Sequence, residues 1–308
     1  MSGERTVVVT SATADHDYAF LVPLTCMMWR IVVGYEPTVF LVGDDWLAPV
    51  AEERLQIVMR HLYTLGIHYK RIPSLAAYPD GTVAKHVRQH AACTIGDDDV
   101  WAMPTDVDLW PLRRMYFRQH EGESSLAVLY NAFGDQWKSA QATVDGFKKG
   151  VRFPTLPMCH TAMRMGRWRA AWGIGYSTAI REAMLRTFNE YRVADASSVP
   201  SGEQAEGWRW WVNSDQRVST YVLCTQSWFP DHAYFIPRHG GPPYDRLDRA
   251  FAHVWKQPYV PGRWTDAHLP REPHKHWDDL RRIVQAHMPQ HLAWADIYHS
   301  KYIAAAGT

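Results

Sequence analysis

Asp106 and Asp108 close an apolar run, Val100-Trp101-Ala102-Met103-Pro104-Thr105, with one valine between them, and Leu109-Trp110-Pro111-Leu112 follows. A strand does not end in two acids cheaply, because an unpaired buried carboxylate costs roughly several kcal/mol or takes up a proton. A divalent cation removes that cost. Carboxylate oxygens suit hard ions such as Mg²⁺ and Mn²⁺, and a site built from one or two protein carboxylates leaves its other positions to water and phosphate oxygens. The pair predicts a cation that carries a diphosphate, the plain alternative being an acidic pair in a solvated turn.

Other charged residues have spacing that would serve the same chemistry. Lys85 and Arg88 are three apart in a helical pattern and share a face. They could neutralise a diphosphate, Arg88 through a bidentate fork; a solvated basic face is the alternative. In Trp208-Arg209-Trp210-Trp211-Val212-Asn213-Ser214-Asp215-Gln216, Asn213 or Ser214 can cap a helix, which puts Asp215 in the first turn, where the macrodipole favours a carboxylate. Asp266 and His268 alternate on an extended segment and so can face one way. With 16 histidines in the chain, chance placement of His268 is the competing explanation.

Strands alternating with helices must position these groups. Thr6-Val7-Val8-Val9-Thr10 suits a buried strand, and Ser11-Ala12-Thr13-Ala14-Asp15 is a small polar loop that a ligand could approach closely. Residues 18–33 read as an apolar helix ended near Gly34, 37–43 as a second strand leading to Asp44 and Asp45, 51–65 as a helix stopped at Gly66, and 67–72 as a third strand. Residues 82–94 form the next helix, ahead of the strand that bears the acids. This order predicts an α/β fold with a mainly parallel central sheet and helices on both faces, in a single compact unit. Ligands of open α/β sheets bind beyond the carboxyl ends of strands, and Thr10-Ser11, Asp44-Asp45 and Asp106-Asp108 all fall there. The second half is less regular. Strands are expected at 125–130 and 156–163, a helix at 168–188 broken at Gly173-Ile174-Gly175, a polar loop at 194–207, and a Pro-, Gly- and His-dense stretch at 230–273.

At 308 residues, 46% hydrophobic and 21% charged, the chain can bury a substantial core as one or two domains, and its composition is not that of a disordered protein. A net charge of +1 gives no overall reason to expect a nucleic-acid or acidic-membrane partner, so phosphate recognition must be local. Cys26, Cys93, Cys159 and Cys224 lie far apart, without the spacing of a zinc motif or a disulfide framework. The first residues lack a signal-peptide pattern, and no apolar run reaches the roughly eighteen residues of a membrane span. The expectation is a soluble, cytoplasmic protein. The 15 Trp and 15 Tyr suit stacking on sugar rings, although most must belong to the core.

Thr105-Asp106-Val107-Asp108-Leu109-Trp110-Pro111-Leu112 resembles the Asp-any-Asp motif of the GT-A-fold glycosyltransferases: an apolar strand, two acids and an apolar-Pro-Leu exit. The resemblance runs over about residues 6–220, and the acidic strand is its specific part. It implies a GT-A-like sheet and a transferase in which Asp106 and Asp108 hold Mn²⁺ or Mg²⁺ against the diphosphate of a nucleotide-sugar, foremost a UDP-sugar. The sugar would pass to a hydroxyl of a glycan or other acceptor. Together with the polar strand ends, the donor-binding set becomes Thr10, Ser11, Thr13, Asp44, Lys85, Arg88 and Asp106. Trp264-Thr265-Asp266-Ala267-His268-Leu269-Pro270 resembles the late His segment that completes the metal site in some members, which adds His268 to the metal set. Asp215-Gln216 is similar to the acid-Gln pair beside the acceptor, a general base in an inverting enzyme and an orienting group in a retaining one; Glu203 and Glu206 are reserve bases. Pro157-Met158-Cys159-His160-Thr161-Ala162-Met163-Arg164 resembles the strand that lines the donor sugar, but lacks the usual Asn-any-Gly form, and His160 reads as a hydrogen-bonded core residue. Residues 1–118 are then the nucleotide-sugar half and 119–308 the acceptor half with an irregular C-terminal segment.

A nucleotidyltransferase, which makes rather than spends the nucleotide-sugar, would show a Gly-rich loop with a basic residue after the first strand. Ser11-Ala12-Thr13-Ala14-Asp15 has neither. A phosphohydrolase with an Asp nucleophile would carry its acids after the first strand. A non-catalytic carbohydrate-binding protein would account for the aromatics without needing the acids.

Overall fold

The computed structural model describes residues 4–48, 52–132, 156, 159–191, 214–237 and 245–307. Glu203, Glu206 and the stretch 208–213, with Asn213, lie outside the described residues. The strands are β1 (Thr6–Thr13), β2 (Glu36–Val42), β3 (His68–Ile72), β4 (Trp101–Pro104), β5 (Leu109–Pro111), β6 (Ala127–Ala132), β7 (Thr161–Arg164), β8 (Ala233–Pro237), β9 (Arg246–Asp248) and β10 (Asp266–His268). The helices are α1 (His16–Met28), α2 (Glu53–Thr64), α3 (Asp80–Ala91), α4 (Arg114–Phe117), α5 (Met165–Trp172), α6 (Ile180–Glu190), α7 (Ser214–Cys224), α8 (Ala252–Trp255), α9 (Trp277–His287) and α10 (Leu292–Ala306).

Seven strands form a sheet in the order β3-β2-β1-β4-β7-β6-β8, and three form a smaller one in the order β5-β10-β9. β1 and β4 pair in parallel, as do β6 and β8, while β7 runs antiparallel to both its neighbours. The mainly parallel α/β sheet that the alternation predicts is present, with β7 as the reversed strand.

Two local departures bear on the candidate residues. β1 continues to Thr13, past the loop expected at residue 11, because Ala12 joins the apolar core and tertiary burial overrides the polar character of its neighbours. Thr10 and Ser11 are thus buried within the strand rather than placed beyond it. The acidic strand, by contrast, stops at Pro104. The chain turns through residues 105–108, with the Leu109 amide donating to the Asp106 carbonyl at 3.2 Å, and re-enters a sheet as β5.

Contacts gather the chain into two compact units, residues 1–9, 72–105 and 122–238 in one, and 10–71, 106–121 and 239–308 in the other. Neither is a contiguous stretch. In the first, Trp101, Met103, Val128, Leu129 and Trp168 are wholly buried, as are Val83 and Val87 of α3. In the second, α1 is buried along every residue from Ala19 to Met28, which is why its sequence shows no polar stripe. Asp15 caps this helix, its Oδ1 accepting the Asp17 amide at 3.0 Å. A π-helical turn over Trp29–Val33 carries it to Gly34, whose φ of +90° is one that glycine adopts freely. The C-terminal helices, which the sequence leaves unassigned, pack here: the Phe20 ring stacks on Tyr298, and the Tyr298 hydroxyl donates to the Phe20 carbonyl at 2.9 Å. Burying such an aromatic contributes about 2–3 kcal/mol.

Candidate metal and donor site

The small sheet positions Asp108. β10 sits between β5 and β9, with His268 opposite Leu109 on one side and Asp248 on the other, so the residue just before β5 meets the end of β10. The Leu269 amide donates to the Asp108 carbonyl at 2.9 Å, and the Arg249 amide to the His268 carbonyl at 3.0 Å. On this scaffold the Asp108 Oδ2 lies 3.6 Å from His268 Nε2 and accepts from Arg249 Nη1 at 2.7 Å. His268 Nδ1 lies 3.2 Å from Asp248 Oδ1, which also accepts the Ala250 amide at 2.9 Å.

The charges follow from this packing. Burial alone would raise the Asp108 carboxyl, but His268 and Arg249 outweigh it and hold the group well below the usual carboxylate range. Burial works against a charged His268, yet hydrogen bonds to Asp108 and Asp248 raise its pKa above the ordinary value. Asp248 is lowered, the same two-sided contest being won by His268 and the Ala250 amide.

Asp266 and His268 do share a side of β10, but they do different things. Asp266 is wholly buried and paired with Arg246, directly opposite on β9, whose Nε donates to Asp266 Oδ1 at 2.9 Å and whose Nη2 donates to Oδ2. This is a buried bidentate pair that fixes the β9–β10 register.

Asp106 is part-buried in the turn before Asp108. Among the described residues, Asp106, Asp108 and His268 are not gathered into three donor atoms within 4.8 Å of one another; His16, Asp17 and His274 are. In that second group the His16 and His274 rings pack edge to face at 4.2 Å, and burial followed by the charge of Arg54 lowers the His16 pKa. The donor set of Asp106, Asp108 and His268, two carboxylates and an imidazole, has the chemistry of a site for Mn²⁺ or Mg²⁺, and in this structure Arg249 bonds the Asp108 oxygen with His268 beside it.

Of the remaining donor residues in this unit, Thr10 Oγ1 is buried without a hydrogen-bond partner among the described residues, Thr13 Oγ1 accepts the Asp15 amide at 3.4 Å, and Asp44 is exposed at the start of a 3₁₀ turn after β2.

In the other unit Arg88 and Asp215, expected on the donor and the acceptor side, are bonded to each other. Arg88 Nη2 donates to Asp215 Oδ2 at 2.9 Å, with both side chains more than nine-tenths buried, and Arg88 Nε donates to the Lys85 carbonyl at 3.1 Å. Arg88 points inward because its helix buries nearly the whole length of 82–91, so it does not form a solvated face with the part-exposed Lys85. Asp215 does stand in the first turn of a helix, α7, but as one half of a buried ion pair rather than as a lone base. Gln216 Nε2 donates to the Leu156 carbonyl at 2.8 Å, which ties this turn to the segment before β7. His160, in that segment, is wholly buried with a φ of +68°, and its amide donates to the Pro104 carbonyl at 2.9 Å.

Sequence reasoning missed Asp248 and Arg249. Their signal was weak, since β9 is three residues long and lies in the Pro- and His-dense stretch.

No family model matches the chain, and no curated protein matches it. Among solved structures it is similar to the galactosyltransferase LgtC in complex with donor and acceptor sugar analogues, at 11% identity over 97% of this chain and 95% of that one, with a TM-score of 0.48. It is also similar to the glycosyltransferase GlyE of Streptococcus pneumoniae TIGR4, at 9% identity over 98% of this chain and 64% of that one, TM-score 0.43. A third is mouse xyloside xylosyltransferase 1, at 10% identity over 88% of this chain and 98% of that one, TM-score 0.38. These are likenesses of chain trace at low identity. Among the described residues no helix is long and apolar enough to cross a membrane.

Proposed function

We propose that this chain is a metal-dependent glycosyltransferase that moves a sugar from a nucleotide-sugar, a UDP-sugar foremost, to a hydroxyl of a glycan or other acceptor. One observation carries the reading: two residues far apart in sequence, Asp108 of the acidic motif and His268 of the late His segment, lie 3.6 Å apart on a sheet whose pairing fixes both. A carboxylate and an imidazole so placed, with Asp106 two residues upstream, would hold Mn²⁺ or Mg²⁺. When bound, the ion supplies Lewis-acid stabilisation of charge developing on a leaving diphosphate.

The chain's own residues do the rest. Asp108 and His268 set where the diphosphate binds; the nucleotide-sugar residues are Thr10, Ser11, Thr13, Asp44 and Asp106 in the same unit, and Lys85 and Arg88 in the other. Asp215, fixed by Arg88, serves the acceptor side, as base if the reaction inverts and as an orienting group if it retains. In this reading residues 1–118 bind the donor and 119–308 the acceptor.

The test is release of free UDP from a panel of UDP-sugars in Mn²⁺, with and without EDTA. The expected result is hydrolysis or transfer with one donor, abolished by EDTA and by Asp108→Asn. No release with any donor, and no binding of UDP in Mn²⁺, would remove the proposal.

A further inference from the structure

Resting on that reading, we infer that Arg249 is a further residue of the donor site: it occupies the cation's place on Asp108 in the metal-free protein and is transferred to the donor's diphosphate when metal and nucleotide-sugar bind together.

Three observations carry this. The first is anchorage. The Arg249 amide is bonded to the His268 carbonyl, and the turn after it is closed by the Ala250 and Phe251 amides on Asp248, so the base of the side chain is tied to the residue that would share the metal with Asp108. The second is the bond itself. Arg249 Nη1 donates to Asp108 Oδ2 at 2.7 Å and to the Leu269 carbonyl at 3.3 Å, while His268 Nε2 approaches the same Oδ2 at 3.6 Å. A guanidinium and an imidazole thus converge on one carboxylate oxygen, where a divalent ion would sit. The third is what the guanidinium leaves unused. Its Nε and Nη2 donate to no described residue, and the side chain is 23% exposed. A rigid fork with one nitrogen engaged and two nitrogens open matches the paired oxygens of a phosphate.

A divalent ion on Asp108 would stand beside this guanidinium, and like charges at that distance repel strongly where water is scarce. Arg249 can stay only if an anion comes between them, and a diphosphate is such an anion. The latch therefore weakens metal binding in the absence of donor and strengthens donor binding in its presence, which makes the two ligands cooperative.

The test uses the full chain and reads binding rather than turnover: Mn²⁺ affinity by electron paramagnetic resonance, alone and with UDP, and UDP affinity by calorimetry at saturating Mn²⁺. Arg249→Gln is expected to bind Mn²⁺ alone about tenfold more tightly and UDP about tenfold more weakly, each change being one broken charge-assisted contact. Arg249→Lys, which keeps the charge and guards against a folding artefact, is expected to retain the weak Mn²⁺ binding of the natural protein but not its UDP affinity. If both variants leave both affinities within twofold of the natural protein while Asp108→Asn abolishes Mn²⁺ binding, the inference falls and the metal-site reading stands. If Asp108→Asn also leaves Mn²⁺ and UDP binding unchanged, both fall.

Discussion

Arg88 and Asp215 face each other at 2.9 Å with 6% and 8% of their side chains exposed, and so form a buried ion pair. Removing one member of such a pair leaves an uncompensated buried charge, at a cost of about 3–5 kcal/mol, whereas replacing both with apolar groups of similar volume is often neutral.

Asp215→Ala is accordingly expected to lower unfolding free energy by about 3 kcal/mol, and Arg88→Met with Asp215→Leu to recover most of it. Urea denaturation of the single and the double variant decides the matter; a single variant within about 1 kcal/mol of the natural protein would contradict a buried pair. The consequence for activity is that loss of turnover in Asp215→Ala alone does not identify a base. Asp215→Asn, compared at equal folded fraction, is the informative variant.

A second expectation concerns pH. The His268 pKa lies above the ordinary 6.5, because hydrogen bonds to Asp108 and Asp248 overcome burial. Its imidazolium therefore stabilises the metal-free protein fully below the ordinary value, and that contribution is lost as pH rises through the raised one. A metal ligand must instead be the neutral ring. Mn²⁺ affinity should climb as the pH rises past the ordinary imidazole value and through the raised one, with proton release, and His268→Ala should flatten the profile. A titration by electron paramagnetic resonance across that range measures it, and an unchanged slope in His268→Ala would assign the dependence to another group.

How much of this was legible in the sequence depends on length scale. β-branched runs and glycine stops give the strand–helix alternation, because Thr6-Val7-Val8-Val9 and Gly34 and Gly66 act locally. Asp108 and His268 were each legible by motif, but their contact was not: it depends on β5, β9 and β10, which are three residues each and carry no periodicity to detect. The Arg88–Asp215 pair was hidden for another reason. Spacing on a helix tells which residues share a face, not whether that face meets solvent or another helix, and α3 is packed against α6 and α7. His160 reads as core, and is buried, but its left-handed backbone has no signal in a non-glycine residue.

The Arg246–Asp266 pair carries the register of the small sheet and thereby holds His268 in place. Asp266→Ala should destabilise by about 3 kcal/mol, since it removes the buried bidentate carboxylate that Arg246 binds, and should weaken Mn²⁺ binding although Asp266 is not itself a proposed ligand. Asp266→Asn, which can still accept from Arg246, should restore part of both. Thermal unfolding with and without Mn²⁺ separates the outcomes: a variant that loses stability but keeps its full Mn²⁺-induced shift would show that the register is held by other contacts.

Thr10 offers the sharpest contrast between folding and binding. Its Oγ1 is buried without a hydrogen-bond partner among the described residues, and a buried hydroxyl left unbonded costs about 1–3 kcal/mol. Valine has nearly the same shape and lacks the hydroxyl, so Thr10→Val should stabilise the free protein by about 1 kcal/mol, a rise of about 2 °C in Tm. If Thr10 belongs to the nucleotide-sugar set, the hydroxyl finds its partner only in the bound donor, and the same substitution should weaken UDP binding by about tenfold. Stability and affinity then move in opposite directions. A Thr10→Val protein that is more stable and binds UDP as well as the natural protein would take Thr10 out of the donor site, and one that is less stable would mean the hydroxyl is satisfied within the folded chain.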